Sequence, residues 1–174
     1  MTPVEVDLEA LFNDVLHATE LGNSALGTPD AIEIGPLPTV LGSRSLLERV
    51  AQNILSNALK FRREGVVPRI EVSARLYQNQ GAEAERGVPA GEACEITIAD
   101  NGIGFEMQYL DRIFNIFQRL HGRNEYPGTG IGLATCRKIV ERHNGLITAV
   151  SEPGQGTRFL VRLPVRQARR EQSA

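Results

Sequence analysis

An amphipathic helix pattern that begins at Gly42-Ser43 and ends before Gly65 constrains the fold more than any other feature of this sequence. Three polar residues, Asn53, Asn57 and Lys60, lie in a narrow stripe along it, because separations of four and three residues place side chains on adjacent turns. Carboxamides and an ammonium group beside a core need partners, since burying them unpaired costs free energy. The pattern therefore predicts either a polar cleft or a solvated helix flank. The stripe borders the apolar face of Leu47, Val50, Ala51, Ile54, Ala58 and Phe61.

The rest of the chain alternates between helix and strand patterns. Helices are predicted from Asp7 to about Asn23 and from Ile131 to Asn144. A polar, glycine-containing stretch from Tyr77 to Glu92 predicts a long, mobile hairpin connection. This order indicates the α+β class, with helices layered on one face of a mixed sheet. Alternating apolar residues predict strands over residues 31–34, 70–76, 94–99, 146–150 and 158–163.

Length, charge and cysteine use narrow the functional class. The 174 residues fit one domain, at roughly 100 to 200 residues per domain. A formal net charge of −2 excludes the overall basic character of a nucleic-acid binder or a polybasic membrane anchor. No apolar run of about 18 residues and no signal-peptide pattern occurs, so we expect a soluble cytoplasmic protein without direct membrane contact. Cys94 and Cys136 form neither a metal-ligand spacing nor a disulfide framework, which agrees with a reducing compartment.

A carboxylate and two glycines follow the strand pattern that ends at Ala99. In Asp100-Asn-Gly-Ile-Gly104 the carboxylate can accept a hydrogen bond from an exocyclic amine. The glycines allow the backbone to approach a planar ring closely or to turn with positive φ. A tight turn capped by Asp100 explains the motif equally well.

Two further glycine-rich turns precede a helix and a strand. Gly128-Thr-Gly-Ile-Gly-Leu133 opens the last helix, where amide groups and the helix dipole create an anion site. A dinucleotide-binding loop requires G-x-G-x-x-G directly after a strand, and a Walker loop requires G-K-[ST]; this segment has neither. Gly154-Gln-Gly-Thr157 predicts a hairpin turn, and the Thr157 hydroxyl could also bond a base or a bridging water.

In their order and spacing, these segments resemble the N, G1, F, G2 and G3 boxes of the sensor histidine kinase catalytic domain, a member of the gyrase, Hsp90, histidine kinase and MutL superfamily. The resemblance covers about Val6 to Pro164, and residues 117–130 look like the phytochrome-type branch. It implies a Bergerat-type ATP-binding fold, a two-layer α/β sandwich with a mixed, mostly antiparallel sheet and a mobile ATP lid. We expect that domain over residues 1–165 and a flexible polar tail over residues 166–174. The boxes fall at residues 53–61, 100–104, 113–119, 128–133 and 154–157.

The resemblance implies that ATP and Mg²⁺ are the cofactors and gives the base end of the site its residues. Asp100 would bind the adenine amino group, and Thr157 would support that contact directly or through water. Gly102 and Gly104 would shape the turn under the base. Phe61 would pack at the edge of the site.

The resemblance also assigns the phosphate end. Asn57 would place its side-chain oxygen on Mg²⁺, Asn53 would lie beside the phosphates and the metal, and Lys60 would contact a phosphate oxygen. The lid, residues 105–127, would bring Arg119 to the nucleotide, with Phe114 and Phe117 anchoring it. The polyphosphate would be held by the amides of Gly128, Thr129, Gly130, Gly132 and Leu133.

The phosphoacceptor is expected elsewhere, because His17, His121 and His143 all lack the sequence context of a phosphorylated histidine and fit surface or packing roles better. We therefore expect the catalytic, ATP-binding module of a two-component sensor histidine kinase. It would donate the γ-phosphoryl group to a histidine on a dimerisation and phosphoacceptor domain of the same kinase or of a partner, and so act indirectly on a response regulator. The isolated domain is expected to be a monomer.

Two alternatives belong to other functional classes. A gyrase- or Hsp90-type ATPase would need a general base; such family members carry Glu where this sequence has Asn53, and an amide cannot accept a proton at neutral pH. An anti-sigma-type interaction module, or a degenerate kinase domain, would use the nucleotide only to set the lid conformation. The five intact boxes disfavour a degenerate domain, and the phytochrome-like lid disfavours the switch protein.

Overall fold

The structure is a computed structural model that describes residues 2–18, 32–80, 88–115 and 132–166. A 3₁₀ turn over Met107–Tyr109 precedes the short third helix. In chain order, the elements are β1 (Val4–Asp7), α1 (Leu8–Ala18), β2 (Ile32–Ile34), β3 (Thr39–Gly42), α2 (Arg44–Lys60), β4 (Ile70–Asn79), β5 (Gly91–Asp100), α3 (Leu110–Ile113), α4 (Gly132–Arg142), β6 (Leu146–Glu152) and β7 (Gly156–Pro164).

The main sheet has five strands in the order β2-β4-β5-β7-β6. The β2–β4 pair is parallel, and the pairs β4–β5, β5–β7 and β6–β7 are antiparallel. In the longest ladder Ile70 pairs with Asp100 and Asn79 pairs with Gly91. This topology confirms the predicted mixed, mostly antiparallel sheet.

The helices cover one face of this sheet, as predicted. Alternate residues of the central strands, such as Ile96 and Ile98, are buried in the same core as Leu11 and Ile54 of the helices. On the opposite face of β4, Glu71, Ser73 and Arg75 are exposed. Since α2 packs against both α1 and α4, Leu55 is buried as well, although it lies outside the predicted apolar face.

The beginning of the chain differs from the prediction. The segment Val4–Asp7 is a strand that pairs antiparallel with Thr39–Gly42 in a separate two-stranded sheet. The first helix therefore begins at Leu8, and Asp7 caps it by accepting a hydrogen bond from the Ala10 amide at 3.1 Å. The last predicted residues of this helix, 19–23, lie outside the described residues.

The connection between β4 and β5 is shorter than predicted. The ladder continues to the Asn79–Gly91 pair, so residues at both ends of the predicted connection from Tyr77 to Glu92 are strand. The buried Asn79 carboxamide donates hydrogen bonds to the carbonyl oxygens of Val88 and Pro89, both at 3.1 Å. These bonds close the hairpin beyond the point where the alternation of apolar residues ends.

No helix among the described residues is long and apolar enough to cross a membrane.

A fully buried histidine joins the end of α4 to the beginning of α2. His143 Nε2 accepts a hydrogen bond from the Ser43 amide at 3.0 Å, so the proton lies on Nδ1, which contacts the Ile139 carbonyl oxygen at 2.8 Å. A Cβ at Gly42 would lie 2.7 Å from the imidazole Cδ2, so glycine leaves the space for the ring. The structure confirms a packing role for His143.

Acidification is expected to destabilise the domain through His143. Burial lowers the pKa of this imidazole below 6.5; the Ile139 contact raises it, and the Arg142 charge lowers it further. The unfolded chain therefore binds the proton first, and stability that is present above pH 6.5 is lost as the pH falls below it. Once protonated, Nε2 would present a donor to the Ser43 N–H. One proton contributes a slope of at most about 1.4 kcal/mol per pH unit.

Urea unfolding measured at a series of pH values tests this expectation. His143→Gln should remove most of the slope, even if it lowers stability at every pH. His17→Gln, on the exposed surface of α1, is the control and should retain the wild-type slope. Equal slopes in wild type and His143→Gln would contradict the prediction.

Candidate functional site

The base end of the predicted site forms where β5 ends beside the start of β7. Asp100 Oδ1 accepts hydrogen bonds from the amides of Gly102 at 2.8 Å and Thr157 at 3.2 Å. Since Ala99 pairs with Arg158 in the β5–β7 ladder, the antiparallel register itself brings Asp100 beside Thr157. The structure thus unites two predicted residues that are 57 positions apart in the chain.

The second carboxylate oxygen of Asp100, Oδ2, is the hydrogen-bond acceptor that the site offers to a ligand. No donor among the described residues reaches Oδ2, whereas Oδ1 is held by two amides. Burial raises the pKa of this half-buried carboxyl above its ordinary value, and the two amide hydrogen bonds lower it in part. A fixed acceptor in a partly desolvated position binds a donor more strongly than one in water.

The backbone of the turn after Asp100 packs closely against neighbouring segments. The Ile103 amide donates to the Phe61 carbonyl oxygen at 2.9 Å, and a Cβ at Gly102 would lie 2.5 Å from that oxygen. Gly104 has a φ of +66°, and a Cβ there would overlap the Glu152 carbonyl. Both glycines are therefore required by contacts within the protein, and their predicted place beneath a base stays a prediction.

Asn101, for which the sequence pattern predicts no role, holds the α2–β4 loop. Its side-chain oxygen accepts from the Arg69 amide at 2.8 Å, and its Nδ2 donates to the Val67 carbonyl at 2.9 Å. Its backbone amide donates to the Arg69 carbonyl at 3.2 Å, and its carbonyl accepts from Arg63 Nε at 2.9 Å. The sequence signalled only a turn here, because every partner lies more than thirty positions away.

Ser151, a buried residue on β6, also has no role that the sequence pattern predicts. Its hydroxyl lies 2.8 Å from the Thr157 hydroxyl and 2.9 Å from both the Phe105 amide and the Gly156 carbonyl oxygen. It therefore connects the turn after Asp100 to the start of β7. The sequence placed Ser151 in the last predicted hairpin and gave no indication that its hydroxyl bonds other segments.

The polar stripe of α2 runs between the base end and the start of α4. Asn53 Nδ2 donates to the Gly132 carbonyl at 3.2 Å, while the Phe61 carbonyl binds the turn after Asp100. The two residues that make these contacts are eight positions apart, which corresponds to a helical rise of about 12 Å. Between them, Asn57 and Lys60 are half-buried, and Lys60 Nζ lies 5.5 Å from the centroid of the Phe61 ring.

The phosphate end is described in part. Gly132 is the first residue of the 11-residue α4, and the half-buried Leu133 packs against the core. Free amides and the helix dipole at such an N-terminus attract anions. Phe114 is buried with its ring edge-to-face against Phe159, at a centroid distance of 6.4 Å, which anchors the start of the predicted lid. The predicted residues Phe117, Arg119, His121, Gly128, Thr129 and Gly130 lie outside the described residues.

Residues 42–167 match the protein family described as Histidine kinase-, DNA gyrase B-, and HSP90-like ATPase. The chain belongs to this family. The matched segment begins at the glycine beside the His143 ring and includes every predicted site residue. The predicted resemblance is therefore confirmed for the family.

The named relatives of this ATPase domain are sensor kinases and phytochromes. Cyanobacterial phytochrome A of Nostoc sp. is 37% identical over 96% of this chain and 21% of its own length. The phytochrome-like protein Cph1 of Synechocystis sp. is 40% identical over 77% of this chain and 16% of its own length. The chain spans about a fifth of the length of these curated relatives. They favour the histidine kinase branch over the gyrase-type and anti-sigma-type alternatives.

Solved structures agree with the ATPase domain fold. The mycobacterial sensor histidine kinase MprB is 27% identical with a TM-score of 0.70, covering 95% of this chain and 99% of that chain. Full-length ShkA, solved in complex with AMPPNP, is 26% identical with a TM-score of 0.69, covering 97% of this chain and 32% of that chain. The catalytic domain of histidine kinase ThkA is 21% identical with a TM-score of 0.73, and the match covers 96% of this chain and 98% of that chain. This likeness supports the fold.

Proposed function

We propose that this domain binds Mg-ATP between α2, the end of β5 and the start of α4. In this proposal it donates the γ-phosphoryl group to a histidine on a dimerisation and phosphoacceptor domain, within a two-component signalling system. The domain comprises residues 1–165.

The observation that carries the proposal is the arrangement of Asp100. One carboxylate oxygen is fixed by the Gly102 and Thr157 amides, so the other is held in a defined direction as an acceptor. The adenine amino group is a donor that fits this acceptor. Partial burial also favours a directional polar contact over a solvated one.

The donor set along α2 is compatible with a magnesium triphosphate. Mg²⁺ takes oxygen ligands and keeps several waters, and substrate phosphates supply further ligands, so the site needs few oxygens from the protein and a carboxamide oxygen is chemically suited. Asn57 would hold the metal, and Lys60, one turn further, would neutralise a phosphate oxygen. When bound, the metal would supply charge neutralisation on the phosphates.

These residues would act mainly by positioning the nucleotide. Phosphoryl transfer requires little covalent chemistry from the protein, since most of the catalysis comes from orientation and charge stabilisation. Asn53 would lie beside the phosphates without taking a proton from water, because an amide is not a base at neutral pH. Its hydrogen bond to Gly132 instead fixes the start of α4 relative to α2. The arrangement favours transfer to a positioned acceptor over hydrolysis.

Transfer from labelled ATP to a separately supplied dimerisation and phosphoacceptor domain tests the proposal. Label should appear on the acceptor histidine in the presence of Mg²⁺. Asn57→Ala should lower the transfer rate by at least about 100-fold, because even outer partners of metal sites contribute 10- to 100-fold. Gln52→Ala, an exposed carboxamide on the same helix, is the matched control and should transfer at the wild-type rate.

Each failure in this experiment has a different meaning. Rapid release of phosphate by the domain alone would favour a gyrase-type ATPase. No binding of ATP would contradict the whole proposal. Wild-type transfer by Asn57→Ala would contradict only the assignment of the metal ligand.

A further inference from the structure

Two buried hydroxyl groups lie in contact beside Asp100. Ser151 and Thr157 are paired residues in the β6–β7 ladder, and their hydroxyl oxygens are 2.8 Å apart. The Thr157 amide also holds Asp100 Oδ1. The directions of these two hydroxyl protons therefore affect what the base end of the site presents to a ligand.

The hydrogen-bonding capacity of Ser151 fixes both protons. A serine hydroxyl has one proton to donate and two lone pairs that accept. The Gly156 carbonyl oxygen can only accept, so the Ser151 proton is directed to it. The Phe105 amide can only donate, so it occupies one lone pair. The second lone pair remains for Thr157, whose hydroxyl must donate to Ser151.

Thr157 is therefore an acceptor toward any ligand. Its single proton is committed to Ser151, which leaves lone pairs on its oxygen. Asp100 Oδ2 is also an acceptor, so the base end presents two acceptors in neighbouring positions. An amino group satisfies them, either directly or through one water, whereas a keto oxygen in the same place would meet acceptors alone.

We infer that Ser151 is a positioning residue that sets base selectivity, by holding the Thr157 hydroxyl so that the site favours an amino over a keto group on the purine. This inference rests on the proposed nucleotide function. Ser151 does not contact the ligand in this scheme, and it acts through Thr157. Once Ser151 loses its hydroxyl, the Thr157 proton is released and can turn toward a keto oxygen.

Dissociation constants for ATP and for inosine triphosphate, which carries a keto oxygen in place of the amine, test the inference. Wild type should prefer ATP. Ser151→Ala should reduce that preference about 5- to 10-fold, the effect of one neutral hydrogen bond. Ser73→Ala, on the exposed face of β4, is the control and should keep the wild-type ratio. A purely structural role would weaken both nucleotides equally and leave the ratio unchanged, which would overturn the inference.

Thr157→Val provides a second test, because it keeps the Ser151 bonds to Phe105 and Gly156. It should also reduce the preference, and Ser151→Ala added to it should change the ratio no further, since Ser151 acts through Thr157. Additive effects in the double variant would overturn the inference. If Ser151→Ala does not fold, an unchanged ratio in Thr157→Val has the same meaning. Wild-type protein that binds neither nucleotide would instead refute the proposed function.

Discussion

Asp100→Asn is expected to remove adenine recognition and, at the same time, to raise the stability of the nucleotide-free domain at neutral pH. The amide oxygen can replace Oδ1 as acceptor for the Gly102 and Thr157 amides. The amide nitrogen then takes the place of Oδ2. Because this NH₂ group and the adenine amino group both donate hydrogen bonds, neither can accept from the other. Loss of a hydrogen bond to a charged group costs about 1.5–3 kcal/mol, so ATP binding should weaken by about 10- to 160-fold.

The expected gain in stability follows from the sign of the pKa shift. Burial raises the pKa of Asp100 above 3.8 in the folded domain. The folded state therefore holds this proton more tightly than the unfolded chain, and stability falls as the pH rises through the folded pKa. At pH 7 the carboxylate is charged and destabilising, and a neutral amide of the same shape removes that cost.

Calorimetric titration with ATP and thermal unfolding without nucleotide measure the two effects in one protein. Glu71→Gln, which also converts an exposed carboxylate to an amide but lies on β4 outside the site, is the control and should change neither. A variant at Asp100 that binds ATP like wild type would remove this residue from the site. A lower melting temperature at pH 7 would contradict the burial argument.

The contrast between α2 and β1 illustrates which parts of the fold the sequence could predict. A helix of 17 residues repeats its apolar positions often enough for its period to be recognised. The strands β1 and β3 have four residues each and pair with one another across about 35 positions, so neither contains a recognisable period. The hairpin of β4 and β5 continues past the core, where backbone pairing replaces burial and Leu76 is 55% exposed.

The site shows the same division between local and long-range information. Asp100, Asn53 and Asn57 could be predicted because each belongs to a short segment whose residue types and spacing suit nucleotide binding. The residues that hold the surrounding segments could not, because Asn101 and Ser151 bond backbone groups of distant segments. A backbone donor or acceptor carries no residue-type signal, so tertiary structure alone places it.

The last hairpin contains two glycines whose substitution should have very different effects on stability. Gly156 has a φ of +117°, and a Cβ there would overlap the Asp100 carbonyl oxygen and lie 2.9 Å from the Asn101 Cα. Gly156→Ala should therefore cost about 2–6 kcal/mol, since backbone strain and overpacking each contribute about 1–3 kcal/mol.

Gly154→Ala is the matched comparison within the same hairpin. Gly154 has a φ of +77°, and no other atom in the part of the chain that the structure describes lies within 4 Å of a Cβ built there, so the backbone conformation alone is penalised. The expected cost is about 1–2 kcal/mol. Urea unfolding of both variants measures the difference between their losses in free energy of unfolding. That difference isolates the contact between the start of β7 and the end of β5. Equal destabilisation by the two substitutions would contradict that contact, and with it the close packing that brings Thr157 to Asp100.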